Sequence, residues 1–204
     1  MGIVINPRGA SGAGKTSLAR QILADYGWKT NGDVAALYFD GRVRPIAYRL
    51  GHPLRRRPLV VLGHYERTSG GCDTIRLTDG GVGRAFRLAA EFAGSGHDVL
   101  LEGSDLSSEH LRSVAFAATH QFHILHLTTP LERCVSNLVA RRRMGKDASM
   151  LLRNRLEVQM TTIEAACHRL QCCAAVEQLD FDGALERARH LLGLMPAARE
   201  PRDG

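Results

Sequence analysis

Long apolar runs are missing from this 204-residue sequence. No stretch reaches the roughly 18 consecutive apolar residues that a membrane-crossing helix needs, so a transmembrane chain is not expected. The opening Met1-Gly-Ile-Val-Ile-Asn6 has neither a basic start nor an extended apolar core. It therefore reads as a short buried strand rather than a signal peptide, and the cytoplasm is the expected compartment. Cysteine is sparse and odd in number: the five residues at 72, 134, 167, 172 and 173 contain no Cys-x-x-Cys pair. That pattern argues against both a disulfide framework and a zinc site. Aromatics make up only 5% of the chain, and lysine occurs only at Lys15, Lys29 and Lys146. The net charge of +6 is thus carried almost wholly by arginine.

Acidic residues are absent where arginines gather. Between Gly41 and Tyr65 stand Arg42, Arg44, Arg49, Arg55, Arg56 and Arg57 with no carboxylate among them. A second stretch holds Arg141, Arg142, Arg143, Lys146, Arg153 and Arg155 against Asp147 alone. Such runs attract polyanions, whether nucleotide phosphates or a nucleic-acid backbone; a solvated surface is the plainer alternative.

Short apolar runs alternate with amphipathic stretches, which predicts an α/β fold with a mostly parallel sheet. Strands are expected at Ile3–Asn6, Ala35–Asp40, Leu59–His64, Asp98–Glu102, Phe122–Leu127 and Ala174–Asp180. Helices are expected at Thr16–Tyr26, Gly81–Ala93, Ser108–Thr119, Pro130–Arg143, Met150–Gln171 and Gly183–Leu194. Ser107 and Asp182 suit helix N-caps, and Thr129-Pro-Leu-Glu132 has the form of a capping box. Arg42–Leu50 reads as an edge strand or a basic flap, given Pro45, Pro53 and Pro58. One domain over 1–195 is expected, with a small Arg-rich lid near 141–149 and a frayed tail from 196 to 204.

Gly9-Ala-Ser-Gly-Ala-Gly14-Lys15-Thr16 fits the phosphate-loop pattern G-x-x-x-x-G-K-[ST]. An apolar strand precedes it and a helix-compatible run follows. Glycines let successive backbone N–H groups converge on phosphate oxygens, and the helix adds the positive end of its dipole. The nucleotide-binding set is therefore Gly9, Ser11, Gly12, Ala13, Gly14, Lys15, Thr16 and Ser17. Lys15 is expected to bridge the β- and γ-phosphates of ATP, with the Thr16 hydroxyl on Mg²⁺.

No Asn-Lys-x-Asp segment is present to read guanine, and no ABC signature loop occurs. Chain length argues against an AAA-type ATPase, which leaves small P-loop kinases. Val99-Leu-Leu-Glu102-Gly103 ends an apolar run on a carboxylate, placing Glu102 as a metal ligand through water or as the group orienting the attacking hydroxyl. Asp40 is a candidate general base, although Asp40-Gly41 also suits a tight turn. The arginines from Arg133 to Arg143 suit a lid that neutralises the transferred phosphoryl group, with Arg142 assigned the catalytic part; helix-dipole compensation is the alternative. Gly63-His-Tyr65-Glu66-Arg-Thr-Ser-Gly-Gly71-Cys72-Asp73 reads as a substrate loop or a Gly-Gly turn. As a substrate loop it offers Tyr65 for stacking, with Glu66, Asp73 and the nearby Arg42 as polar contacts.

With these residues assembled, the chain resembles the phage-type P-loop kinases that act on 5-hydroxymethyluracil in DNA. The resemblance rests on Gly9–Thr16, the Gly63–Asp73 stretch, Leu100-Leu-Glu-Gly103 and the arginines after Leu127-Thr-Thr-Pro130. It implies a three-layer P-loop fold, ATP and Mg²⁺ as cofactors, and DNA as partner, with transfer to the hydroxymethyl oxygen of the base. The residues alone leave two other readings open: a kinase of free nucleosides or nucleoside monophosphates, and a nucleic-acid-stimulated ATPase.

Overall fold

Seven short strands form one sheet in the order β2-β3-β4-β5-β1-β6-β7 among the described residues. They are β1 Val4–Arg8, β2 Val34–Leu37, β3 Ala47–Leu50, β4 Leu59–Leu62, β5 Asp98–Leu100, β6 Phe122–Leu127 and β7 Ala175–Leu179. The computed structural model describes residues 1–39, 41–67, 70–142 and 148–194, and the side chains of 142, 148 and 149 are also outside it. Asp40, the Arg142 side chain, lid residues 143–147 and the expected tail therefore lie outside the described residues.

From β4 to β7 every neighbouring pair is parallel, while β2–β3 and β3–β4 are antiparallel. Alternating side chains feed two cores, as the two-residue period of a strand demands. Ile5, Val61, Leu100 and Leu125 face one layer; Val4, Val60, Val99 and Ile124 face the other. The first layer holds α1 Lys15–Asp25 and α7 Phe181–Leu191, joined by a two-pronged Arg189–Asp25 pair at 2.7 and 2.9 Å. The second holds α2 Gly81–Gly94, α3 Ser104–Ser108 and α4 Leu111–Ala117. Between α4 and α7 come α5 Leu131–Arg142 and the long α6 Ala148–Leu170. The latter gives Leu152 and Leu156 to one core and Ile163, Cys167 and Leu170 to the other. This is the expected three-layer α/β sandwich.

Pro7 sits inside the central strand, where a missing N–H ordinarily breaks a ladder. Here β1 pairs with β5 only over Val4 and Ile5. Beyond that point the Asn6 side chain donates to Leu101 O at 2.8 Å, replacing the main-chain partner. The next strand residue after Pro7, Arg8, is completely buried. Its guanidinium donates to Asn6 Oδ1 (2.7 Å) and Ser113 Oγ (2.6 Å), tying the strand before the phosphate loop to α4. Burial lowers its pKa to about 10, so it remains charged at neutral pH.

Three local expectations are corrected. The basic stretch forms an interior strand, β3, because Pro45, Pro53 and Pro58 all fall in its flanking connections and Ala47, Tyr48 and Leu50 are buried. The helix expected at Ser108–Thr119 is shortened to α4, and α3, just before it, was not expected. Ser107 lies inside α3, donating to Gly103 O, and Glu109 accepts from the Arg112 N–H instead. At α7 the cap is Asp180, which accepts from Gly183 N at 2.8 Å, and Asp182 falls in the first turn.

Candidate functional site

The turn from β1 into α1 places residues 9–17 at the carboxyl edge of the parallel strands, where open α/β sheets collect ligands. Gly14 has φ 104° and ψ 0°, and a Cβ there would lie 2.9 Å from the Phe181 ring; only glycine fits both the left-handed backbone and the contact. Three outside groups hold the loop. Thr129 Oγ1 donates to Ala13 O (2.9 Å), Asn137 Nδ2 to Gly12 O (2.8 Å), and Gln159 Oε1 accepts from Ser11 N (2.9 Å). The Thr129 hydroxyl thus serves the phosphate loop rather than the capping box expected of it.

Lys15 is 6% exposed, and its ammonium donates to Gly9 O (2.6 Å) and Ala10 O (3.1 Å). Burial pulls its pKa down, while Glu102 and Asp73 pull it back. Glu102, two residues past the end of β5, is 1% exposed, and its Oε1 has no hydrogen-bond partner among the described residues. Desolvation pushes its pKa up to about 7, with Asp73 adding to the rise. Lys15 opposes that rise, as do the nearby Thr16 and Tyr65 hydroxyls. An orphaned buried carboxylate oxygen beside an ammonium and a threonine hydroxyl is a donor set suited to a hard cation. Thr16 and Glu102 therefore fit Mg²⁺.

Residues 63–67 and 70–74 form a loop whose described part lies against Glu102. Cys72 N donates to Glu102 O at 2.7 Å, His64 bridges to Gly71, and Thr74 Oγ1 joins His64 N (3.0 Å) to Gly71 O (2.7 Å). Gly71 has φ 79°, and a Cβ there would overlap Glu102 Oε1 and lie 2.6 Å from Glu102 O. Gly71→Ala should therefore lower stability by about 2–4 kcal/mol and weaken nucleotide binding, read by thermal melting with and without ATP.

The expected acceptor-side residues separate. Asp73 is exposed on the cleft, and both its carboxylate oxygens accept from Ser104 N (2.8 and 2.9 Å) at the start of α3. Tyr65 is corrected: at 1% exposure its ring packs beside Tyr48, with no face open to a base. Arg42 is also corrected, since its guanidinium is committed to Asp79 Oδ2 (2.8 Å) and Thr74 O (3.0 Å). It braces the loop from behind. Glu66 is exposed, and its carboxylate accepts from Tyr48 OH at 3.3 Å.

The cleft has a volume of about 810 Å³. Besides the loop, it is lined by Gly70, Asp73, Thr74 and Ser104, by Arg133, Asn137 and Arg141 of α5, and by Phe181 and Asp182. Residues 133, 137 and 141 are four apart and form one stripe of α5. Arg141 thus lines the cleft, while the side chain of Arg142, the arginine expected there, lies outside the described residues. Phe181 gave no sequence signal, because its place against Gly14 depends on how α7 docks.

Sequence comparison follows the same lines. A family model described as an AAA domain matches residues 4–166, so chain length is no ground for setting that description aside. The 5-hmdU DNA kinase of Pseudomonas phage PaMx11 is 36% identical, over 93% of this chain and 96% of that protein. The chain therefore belongs to the AAA domain family of P-loop kinases.

Proposed function

We propose that this protein transfers the γ-phosphoryl group of ATP to the hydroxymethyl oxygen of 5-hydroxymethyluracil in DNA. The observation that carries the reading is the near full-length likeness to the phage 5-hmdU DNA kinase. The cleft supports it. Its lining joins the phosphate loop with the Asp73 carboxylate and the Arg133 and Arg141 guanidiniums. Triphosphate oxygens meet the loop N–H groups and the Lys15 ammonium, which turns from its two carbonyl partners to the β- and γ-phosphates. Base and ribose then lie toward Phe181 and Asn137. Mg²⁺ would be held by the Thr16 hydroxyl and by Glu102 through water, and would supply positive charge to neutralise the phosphoryl group being transferred.

In the transfer step the acceptor oxygen bonds to the γ-phosphorus, the β–γ bridging P–O bond breaks, and ADP departs. The hydroxyl proton goes to a carboxylate. Asp73 suits that role because it is exposed on the cleft and aimed by the Ser104 N–H, whereas Glu102 is buried. Asp73→Asn keeps the bond to Ser104 but accepts no proton, so kcat should fall about 10²–10⁴-fold with little change in ATP affinity. Asp40→Asn is the companion variant, and the larger kcat loss identifies the base. In an infected cell such a reaction belongs to the host cytoplasm.

The test is γ-labelled ATP with DNA carrying hydroxymethyluracil, thymine-only DNA and the free nucleoside. Label confined to hydroxymethyluracil DNA supports the proposal. Label on the free nucleoside alone indicates a nucleoside kinase, and ADP release with no labelled acceptor indicates a nucleic-acid-stimulated ATPase.

A further inference from the structure

The acid-free arginine run does not form one surface. β3 carries the chain from one edge of the sheet to the other: Ala47 pairs with Leu62 at the end of β4, and Leu50 with Leu59 at its start. Arg42 and Arg44 precede β3 and lie at the edge that holds the phosphate loop. Arg55, Arg56 and Arg57 follow it and lie at the far edge. The four residues of β3 alone separate the groups by roughly 13 Å. Arg57 is further committed to Asp98 at 3.0 Å.

At the near edge Arg42 is tied to Asp79, as is Arg76. Arg44 and Arg67 are exposed, and neither has an ion-pair partner among the described residues. They stand on adjacent loops, joined where Gly63 N donates to Ile46 O at 2.6 Å. Both bases are firm. Pro45 and Ile46 after Arg44 are buried, and the Tyr65 and Arg67 carbonyls accept from Arg20 of α1. Both guanidiniums also act on the buried His64 between the loops, opposing its protonation. Among the described residues these are two cations without an ion-pair partner, and the Arg67 loop goes on to line the cleft with Gly70, Asp73 and Thr74, so both are placed for two backbone phosphates of one strand.

Resting on the proposed DNA kinase activity, we infer that Arg44 and Arg67 form the clamp that holds the acceptor strand by its phosphates, while Arg55, Arg56 and Arg57 take no part. Sequence recognition then falls to the cleft, because phosphate contacts carry register but no base identity.

The test measures binding of a fluorescent single-stranded oligonucleotide by anisotropy across about 50–200 mM salt, alongside label transfer to hydroxymethyluracil DNA. Arg44→Ala with Arg67→Ala should weaken binding about 10–100-fold and reduce the salt slope by roughly 1.4, about 0.7 for each phosphate no longer neutralised on a single strand. Arg44→Glu with Arg67→Glu should weaken it further, and melting curves separate this from misfolding. Arg55→Ala with Arg56→Ala should bind within about twofold of the parent. An equal loss in the far-edge pair, an unchanged salt slope in the near-edge pair, or no DNA binding by the parent overturns the clamp. A parent that binds DNA through Arg44 and Arg67 yet transfers no label keeps the clamp and removes the proposed reaction.

Discussion

Lys15→Met should lower phosphoryl transfer by on the order of 10³-fold or more and leave a folded protein. The ammonium is the one cation buried within the loop, and the chain holds it there against a desolvation cost that its lowered pKa reports. Methionine has nearly the same reach and no charge, so the variant removes the cation without opening a large cavity. It leaves Gly9 O without its donor, and a buried acceptor so stripped costs about 1–3 kcal/mol. Ala10 O keeps the Ala13 N–H at 3.0 Å. Relief of the buried charge offsets much of that cost, so the melting temperature should move by only a few degrees. Single-turnover transfer from labelled ATP, beside a thermal melt, reads both halves. A variant that is folded and retains a tenth of parental turnover would remove Lys15 from the chemistry.

Glu102→Gln should separate stability from activity in the opposite direction. A carboxyl whose pKa rises from 4.5 to about 7 on folding holds its proton more tightly in the native chain. Unfolding then releases that proton, so native stability falls as pH rises from about 4.5 to 7 and stays reduced above. The contribution is on the order of 3 kcal/mol, partly cancelled in the variant because Lys15 loses an ionised neighbour. Without nucleotide, Glu102→Gln should therefore melt several degrees above the parent at pH 8 and close to it near pH 4.5. Transfer should nonetheless fall about 10²-fold or more, since a neutral amide is a poor ligand for the water around Mg²⁺. A variant less stable than its parent at pH 8 contradicts the desolvation account. Turnover within a few-fold of the parent removes Glu102 from the metal site.

Most of the frame was legible because it is written in short-range patterns. The phosphate loop announces itself through spacing, and the strands that feed both cores are runs of Val, Ile and Leu too short to be helices. β3 was harder, since Arg49 and the flanking prolines disguise a four-residue strand whose interior place depends on β2 and β4. Helix caps were misassigned for a related reason. Ser107, Thr129 and Asp182 each have the right chemistry for a cap, but Ser107 turns to Gly103 O within its own turn, Asp180 caps two residues ahead of Asp182, and Thr129 is taken by Ala13 O, far away in the chain. At the site, carboxylates and arginines could be nominated by type and not by exposure. Burial removed Tyr65 from stacking, the Asp79 pair consumed Arg42, and the stripe through Asn137 brought Arg141 to the cleft.

The sequence alone determined the phosphate-loop motif, the mostly parallel α/β frame and the kinase class, because these depend on residues adjacent in the chain and on local periodicity. Only the tertiary structure decided which charges are available. It buried Glu102 beside Lys15, left Asp73 open, and sent one arginine run to opposite edges of the sheet. The physical reason is that desolvation and ion pairing depend on what packs around a group, and those neighbours lie tens of residues away in the chain.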